Sequence, residues 1–194
     1  MKTAIFGGTF DPIHSAHLTI AREAAERFKL DQVLVIPAGS PPHKKAGTPY
    51  APRFEMVKLA CHGDSRLVPS DLESDQQRPS YSIHTIECVI AQQGTALTPP
   101  LYFIIGTDAF ADLTTWHRWR DVAAAVDFIV VSRPGARIVA PPEARVHLLE
   151  TLALDVSSSE IREQLGRGEM PVEVPPPVAD YIRRNGLYKS GENG

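Results

Sequence analysis

TAIFGGTFDPIHSAHLTIAREAAERF, running from Thr3 to Phe28 and followed after three residues by QVLVIP, Gln32 to Pro37, decides the architecture of this chain. Thr3 to Phe6 is a short apolar run with a β-branched residue at either side of Ala4. Gly7-Gly8 ends it, so it reads as a buried strand entering a tight turn. From His14 to Phe28, Leu18, Ala21, Ala25 and Phe28 recur at helical spacing, with Arg22, Glu23, Glu26 and Arg27 on the other side. Val33 to Ile36 is then unbroken in its apolar character, the mark of a strand covered on both faces, as in parallel sheets. The chain therefore opens β-α-β.

The same alternation continues outward. Ala38 to Pro52 is a proline-rich loop, long enough to expect more of it than connection. Arg53 to His62 reads as a helix with Pro52 as its first residue, and Leu67-Val68 as a short strand. Ser70 to Ser80 is charged and irregular. Ser82 to Gln93 is helical, with Ile83, Ile86 and Ile90 on one face. Leu101 to Ile105 is a continuous apolar strand ending in Gly106. A helix from Trp119 to Val126 and a strand from Asp127 to Ser132 follow, and Arg145 to Leu149 is a weaker strand. Helices at Ser158 to Leu165 and Pro177 to Asn185 close the chain. The expected fold is α/β: a doubly wound, Rossmann-like, mostly parallel sheet with helices on both faces. It forms one domain, residues 1–188, with a solvated tail at 189–194. Ligands of such sheets bind at the carboxyl ends of the strands, which directs attention to the loops after strands one, two and four.

Composition narrows the function classes. The 194 residues are 43% hydrophobic and 22% charged, the balance of an ordinary globular domain rather than a fibrous or disordered chain. Twenty basic residues against 23 acidic ones leave a net charge of -3, so nothing global attracts nucleic acid or a membrane surface, and any phosphate binding must be local. The apolar run at the start is too short for a signal-peptide core, and no stretch approaches membrane-spanning length. Cys61 and Cys88 form no CxxC pattern. Both read as reduced, buried small hydrophobes in a cytoplasmic protein.

Two segments carry chemistry. In Gly7-Gly8-Thr9-Phe10-Asp11-Pro12-Ile13-His14-Ser15-Ala16-His17, the glycines allow close backbone approach to a ligand, and the helix start adds positive potential that favours an anion. The Gly-Lys-Ser/Thr ending of a P-loop and the third glycine of GxGxxG are both missing. His14 and His17, three apart, address the same loop and suit stabilisation of a transferring phosphoryl group. No metal site is expected from them, since cysteine partners and suitably spaced carboxylates are lacking. Far along the chain, Ser157-Ser158-Ser159-Glu160-Ile161-Arg162 gathers hydroxyls, helix-terminal amides and a guanidinium at one spot. Taken singly, the glycines read as a turn and the serines as a plain helix cap.

GGTFDPIHSAH resembles the T/HxGH signature of the nucleotidyltransferase superfamily, in the form found in bacterial nicotinate-nucleotide adenylyltransferases. Ala16 stands where that family usually has glycine, a change that fits a helical backbone. Ser157 to Arg162 resembles the superfamily's second signature, and Pro41-Pro42-His43-Lys44 resembles the family's PPHK loop, with Arg53 and Met56 at its spacing. Pro79-Ser80-Tyr81-Ser82-Ile83-His84-Thr85 resembles its PSYT-x-x-T segment, and Gly106-Thr107-Asp108 with Trp116 its G-x-D…W pattern. The ending Gly186-Leu187-Tyr188 is a structural match. The resemblance thus runs from Gly7 to Tyr188.

It implies an enzyme that joins ATP and nicotinate mononucleotide into nicotinate adenine dinucleotide with release of pyrophosphate, by direct in-line attack without a covalent intermediate. It implies catalytic roles for His14, His17, Lys44 and Arg162. ATP would meet Gly7, Gly8, Thr9, Phe10, His14, His17, Gly106, Asp108, Ser158, Ser159 and Arg162. The mononucleotide would meet Lys44, Thr85, Trp116 and His117, its pyridine ring on the Trp116 indole and its carboxylate on backbone amides near Thr85 and after Trp116. Mg²⁺ would accompany ATP. Adenine contacts are open, with Arg133 and the backbone near Gly106 as candidates. Another transferase of the same fold, such as the pantetheine-phosphate enzyme, and a non-catalytic nucleotide-binding module are the alternatives.

Overall fold

In the computed structural model, which describes residues 1–41, 46–152 and 156–189, strands and helices alternate along the chain. They run β1 (Thr3–Gly8), α1 (Ser15–Arg27), β2 (Gln32–Pro37), α2 (Tyr50–Cys61), β3 (Leu67–Pro69), α3 (Ser82–Gln93), β4 (Tyr102–Gly106), α4 (Thr107–Ala111), α5 (Trp119–Ala125), β5 (Asp127–Ser132), β6 (Arg145–Glu150), α6 (Ser158–Gly166) and α7 (Pro176–Asn185). The strands form one sheet in the order β3-β2-β1-β4-β5-β6, and every pairing among the described residues is parallel. This is the doubly wound order, with its reversal between β1 and β4.

The uniformly apolar strands are explained by two cores. Alternate strand residues point to opposite faces. Ala4, Phe6, Val33, Val35, Ile104 and Ile129 pack against α1, α2, α6 and α7. Ile5, Leu34, Ile36, Phe103, Phe128 and Val130 pack against α3, α4 and α5. The strands at Gln32 and Asp127 match the sequence reading residue for residue, and Arg145–Glu150, the weaker expectation, is the outer strand beside β5.

Four sequence expectations need correction. Gly7 and Gly8 do not form a turn: β1 continues through both, paired with Ile36 and Pro37, and neither has positive φ. The left-handed residue is Phe10, at φ 48°. Helix α2 begins at Tyr50 rather than at Pro52, which sits inside its first turn, where a missing N–H costs nothing. The short helix α4, directly after Gly106, falls in a stretch read as loop. Cys61 is buried as expected, with its thiol pushed up to about 12 by burial, but Cys88 is exposed on α3.

Candidate active site

The carboxyl ends of β1 and β4 are adjacent, and the chain leaves them toward different layers, which opens a crevice there. A cleft of about 320 Å³ occupies it, walled by Gly7 and Gly8 at the end of β1, Thr9 after it, Ala38 and Pro41 beyond β2, and Gly106 at the end of β4 with Ala109 beyond it; Glu73, Thr85 and Trp116 also line it. A side chain at Gly7 or at Gly106 would meet nothing within 4 Å, so both glycines present bare backbone to open space. At Gly8 a Cβ would meet the Phe10 ring at 3.0 Å. The Phe10 ring itself is 2% exposed and lies edge-on to Phe6 and His17, so any contact of Phe10 with a ligand belongs to its backbone.

His14 is the residue before α1 and His17 lies in its first turn, which stacks the two imidazoles at 3.7 Å between centroids. The His14 amide donates to His17 Nδ1 at 3.2 Å, and this assigns the tautomer. With Nδ1 accepting, the neutral His17 ring carries its proton on Nε2. Burial holds His14 at about 4, and burial with the adjacent His14 holds His17 well below the ordinary histidine value. Both rings are therefore neutral near pH 7 and act as hydrogen-bonding groups rather than cations. His14 Nδ1 is buried and has no partner among the described residues. The first amides of α1 are less available to an anion than their position implies. Ser15 donates to the Glu173 carbonyl at 2.8 Å, and His17 to the His14 carbonyl at 3.0 Å. Ala16 is buried in helical backbone, the setting in which alanine can replace glycine.

The second segment joins the first directly. Ser157 caps α6 by accepting from the Ser159 amide at 3.3 Å. Ser158 Oγ donates to the Pro12 carbonyl at 3.2 Å, and Arg162 donates to the Asp11 carbonyl at 2.7 Å and to Ser159 Oγ at 3.1 Å. Residues 146 or more positions apart thus meet at one place. The structure brings together His14, His17, Ser158, Ser159 and Arg162 around the loop that follows Thr9.

Beneath this loop lies a polar network that the sequence reading missed. The buried Asp11 carboxylate accepts from the amides of Gly47 and Thr48 at 2.9 and 3.2 Å, and from the Tyr188 hydroxyl at 2.7 Å. Burial alone would raise its carboxyl, but these hydrogen bonds outweigh it and hold the group below the usual carboxylate value. Arg53, 1% exposed, donates to the carbonyls of Thr48, Thr9 and Ala38 at 2.9, 2.6 and 2.8 Å. One guanidinium therefore ties together the loops after β1 and β2. Asp11 stood inside the quoted motif and Arg53 at the family's spacing, but which carbonyls they serve depends on tertiary contacts that no local pattern encodes.

At the other end of the cleft, Trp116 is half-buried, edge-on to Phe103 at 6.0 Å. It also borders a second cavity of about 530 Å³ lined by Tyr81, Ser82, Asp112 and His117. His117 is exposed and stacks on Tyr81 at 4.5 Å. Thr85, in the first turns of α3, is buried, and its hydroxyl donates to Glu73 at 2.6 Å. Asp108 is exposed at the start of α4, and Arg133 follows the carboxyl end of β5. Lys44, with Pro42 and His43 of the PPHK loop, lies outside the described residues, as do residues 190–194 of the tail.

Residues 5–164 match the cytidylyltransferase-like family model. A curated relative from Solibacter usitatus, named "probable nicotinate-nucleotide adenylyltransferase", is 53% identical over 190 residues, covering 97% of this chain and 100% of its own. The chain belongs to the nicotinate-nucleotide adenylyltransferase family. A second member, from Pelobacter propionicus and named in the same way, is 40% identical over 215 residues, with 97% of this chain and 98% of its own covered. Among solved structures, the nicotinic acid mononucleotide adenylyltransferase of Plasmodium falciparum in complex with NaAD superposes with a TM-score of 0.80 at 21% identity, over 100% of both chains. At that identity the likeness shows the family fold. The full-length coverage of the relatives extends the family match through α7 and Tyr188, the residue that holds Asp11.

Proposed function

We propose that this protein transfers the adenylyl group of ATP to nicotinate mononucleotide, forming nicotinate adenine dinucleotide and pyrophosphate. The observation that carries this reading is the direct contact of the Ser158–Arg162 helix start with the Asp11–Pro12 backbone beside the imidazole pair. A cleft walled by bare glycine backbone, next to a loop on which two neutral imidazoles and a guanidinium are gathered, suits a triphosphate. A half-buried indole beside a helix start at the other end suits a planar ring bearing a carboxylate.

No side chain need act as nucleophile. An oxygen of the mononucleotide's 5′-phosphate attacks the α-phosphorus, a new P–O bond forms, and the bond to the β-phosphate oxygen breaks as pyrophosphate leaves. The protein aligns the reactants and stabilises the charge that develops. His17, with its proton on Nε2, donates to a non-bridging α-phosphate oxygen, and His14 Nδ1 finds its partner at the same place. Arg162, Ser158, Ser159 and the α6 start hold the β- and γ-phosphates. Lys44 adds a mobile cation. ATP enters as its magnesium complex, the metal carried by the substrate's own oxygens. No described helix is long and apolar enough to cross a membrane, and two free cysteines agree with a reducing, cytoplasmic setting.

The test is pyrophosphate release with ATP, Mg²⁺ and nicotinate or nicotinamide mononucleotide. Turnover with the acid, at kcat/KM roughly 10-fold or more above the amide, is expected, because donors placed for a carboxylate meet another donor in the amide. Absence of pyrophosphate release with the acid would overturn the proposal.

A further inference from the structure

The segment between β3 and α3 is strapped over the loop that follows β2. Ser80 donates its amide to the Ser40 carbonyl at 2.9 Å, and Ser40 returns its amide to Ser80 Oγ at 3.0 Å. Glu73 lies where this strap crosses Gly39, so close that a Cβ at residue 39 would overlap the Glu73 carbonyl oxygen. The backbone of Glu73 is thereby fixed on the β2 side of the cleft. Its side chain reaches to the α3 side, where one carboxylate oxygen accepts from the buried Thr85 hydroxyl at 2.6 Å. Both residues line the cleft. Helix α3 has no acidic residue in its first turn and no side-chain cap, so Glu73 is the negatively charged group bonded to its opening turns.

We propose that Glu73 is a positioning residue for substrate choice: by holding Thr85 across the cleft, it sets where the opening turns of α3 present their amides to the carboxylate of the mononucleotide. The inference rests on the function proposed above. It assigns Glu73 no contact with the reacting phosphates and no proton transfer. Its action runs through an acceptor oxygen on Thr85, which glutamine also supplies. The phosphate end of the cleft, built on β1, α1 and α6, does not depend on this bond.

Steady-state pyrophosphate release by Glu73→Ala, Glu73→Gln and Thr85→Val, with each substrate varied in turn, tests the assignment. Glu73→Ala should raise KM for nicotinate mononucleotide by about 10-fold, the effect of a lost partly buried charge-assisted hydrogen bond, with KM for ATP unchanged. Glu73→Gln should recover most of that loss. Thr85→Val should match Glu73→Ala, and the double variant should be no worse than either alone. A lower KM for the mononucleotide in Glu73→Ala would overturn the proposal, because the carboxylate would then be competing with the substrate's. So would equal rises in both KM values, an unchanged KM, or failure of glutamine to rescue. An inactive wild-type protein would instead count against the function proposed above, which separates the two failures.

Discussion

At the scale of single residues, the imidazole pair shows how position in a helix sets chemistry. His17 lies in the first turn of α1, within reach of the His14 amide, and that bond leaves Nε2 as its donor. A neutral donor is useful only where charge develops, so His17→Ala should lower kcat by roughly 10²- to 10³-fold with little change in folding, measured by pyrophosphate release and thermal unfolding. Unchanged turnover would remove His17 from the mechanism. The pair also leaves a stability signature. His14 is held at about 4, below its unfolded value, so the folded state resists taking up a proton that the unfolded chain accepts. Its contribution is complete above the unfolded value and is lost as pH falls toward the folded one, up to about 3 kcal/mol for this one group. Chemical unfolding of the wild type should show stability dropping between about pH 7 and about pH 5, and His14→Asn should flatten that slope. A wild-type slope equal to the variant's would contradict the assigned burial. The tautomer and the stacking were not legible in the sequence; only the spacing was. Phe10 shows the opposite limit, since its place in the motif pointed to the ligand while its ring went to the core.

At the scale of elements, the central strands β1, β2, β4 and β5 were legible because each is apolar on both faces, and the helices because their apolar spacing is helical. What escaped notice was short or long-range. β1 runs on through Gly7-Gly8 because its neighbour β2 continues to Pro37 and provides partners, a tertiary effect that overrides glycine's preference for turns. Helix α4 has five residues, too few for a periodic signal. The contacts that hold the site, Arg53 to the Thr9 and Ala38 carbonyls and Tyr188 to Asp11, join residues distant in sequence. Tyr188, read from the sequence as a structural ending, follows α7 and reaches back to the first loop. Tyr188→Phe removes one hydrogen bond to a buried carboxylate and should cost about 1–3 kcal/mol of stability by chemical unfolding, with a measurable fall in kcat as the loop loosens. An unchanged unfolding midpoint would show that the link carries no weight.

At the scale of the whole molecule, a chain of net charge -3 offers phosphate no general attraction over its surface, so the proposed chemistry depends on one crevice. The strand order places the reversal between β1 and β4, and α6 meets the loop that leaves β1 there through Ser158 and Arg162. The fold class was therefore readable before any coordinates, because strand and helix patterns are encoded by residue type and spacing, and the convergence of two distant motifs was readable through their resemblance to the superfamily's paired signatures. The hub formed by Asp11, Arg53 and Tyr188 was not, because its meaning lies in which backbone groups it meets. The central claim, that these stretches build a single triphosphate site, is tested most directly by a crystal structure with a non-hydrolysable ATP analogue. The account predicts the α-phosphate within hydrogen-bonding distance of His17 Nε2 and the terminal phosphates against Arg162 and the start of α6. A triphosphate bound instead near Trp116 and His117, with Arg162 untouched, would contradict it.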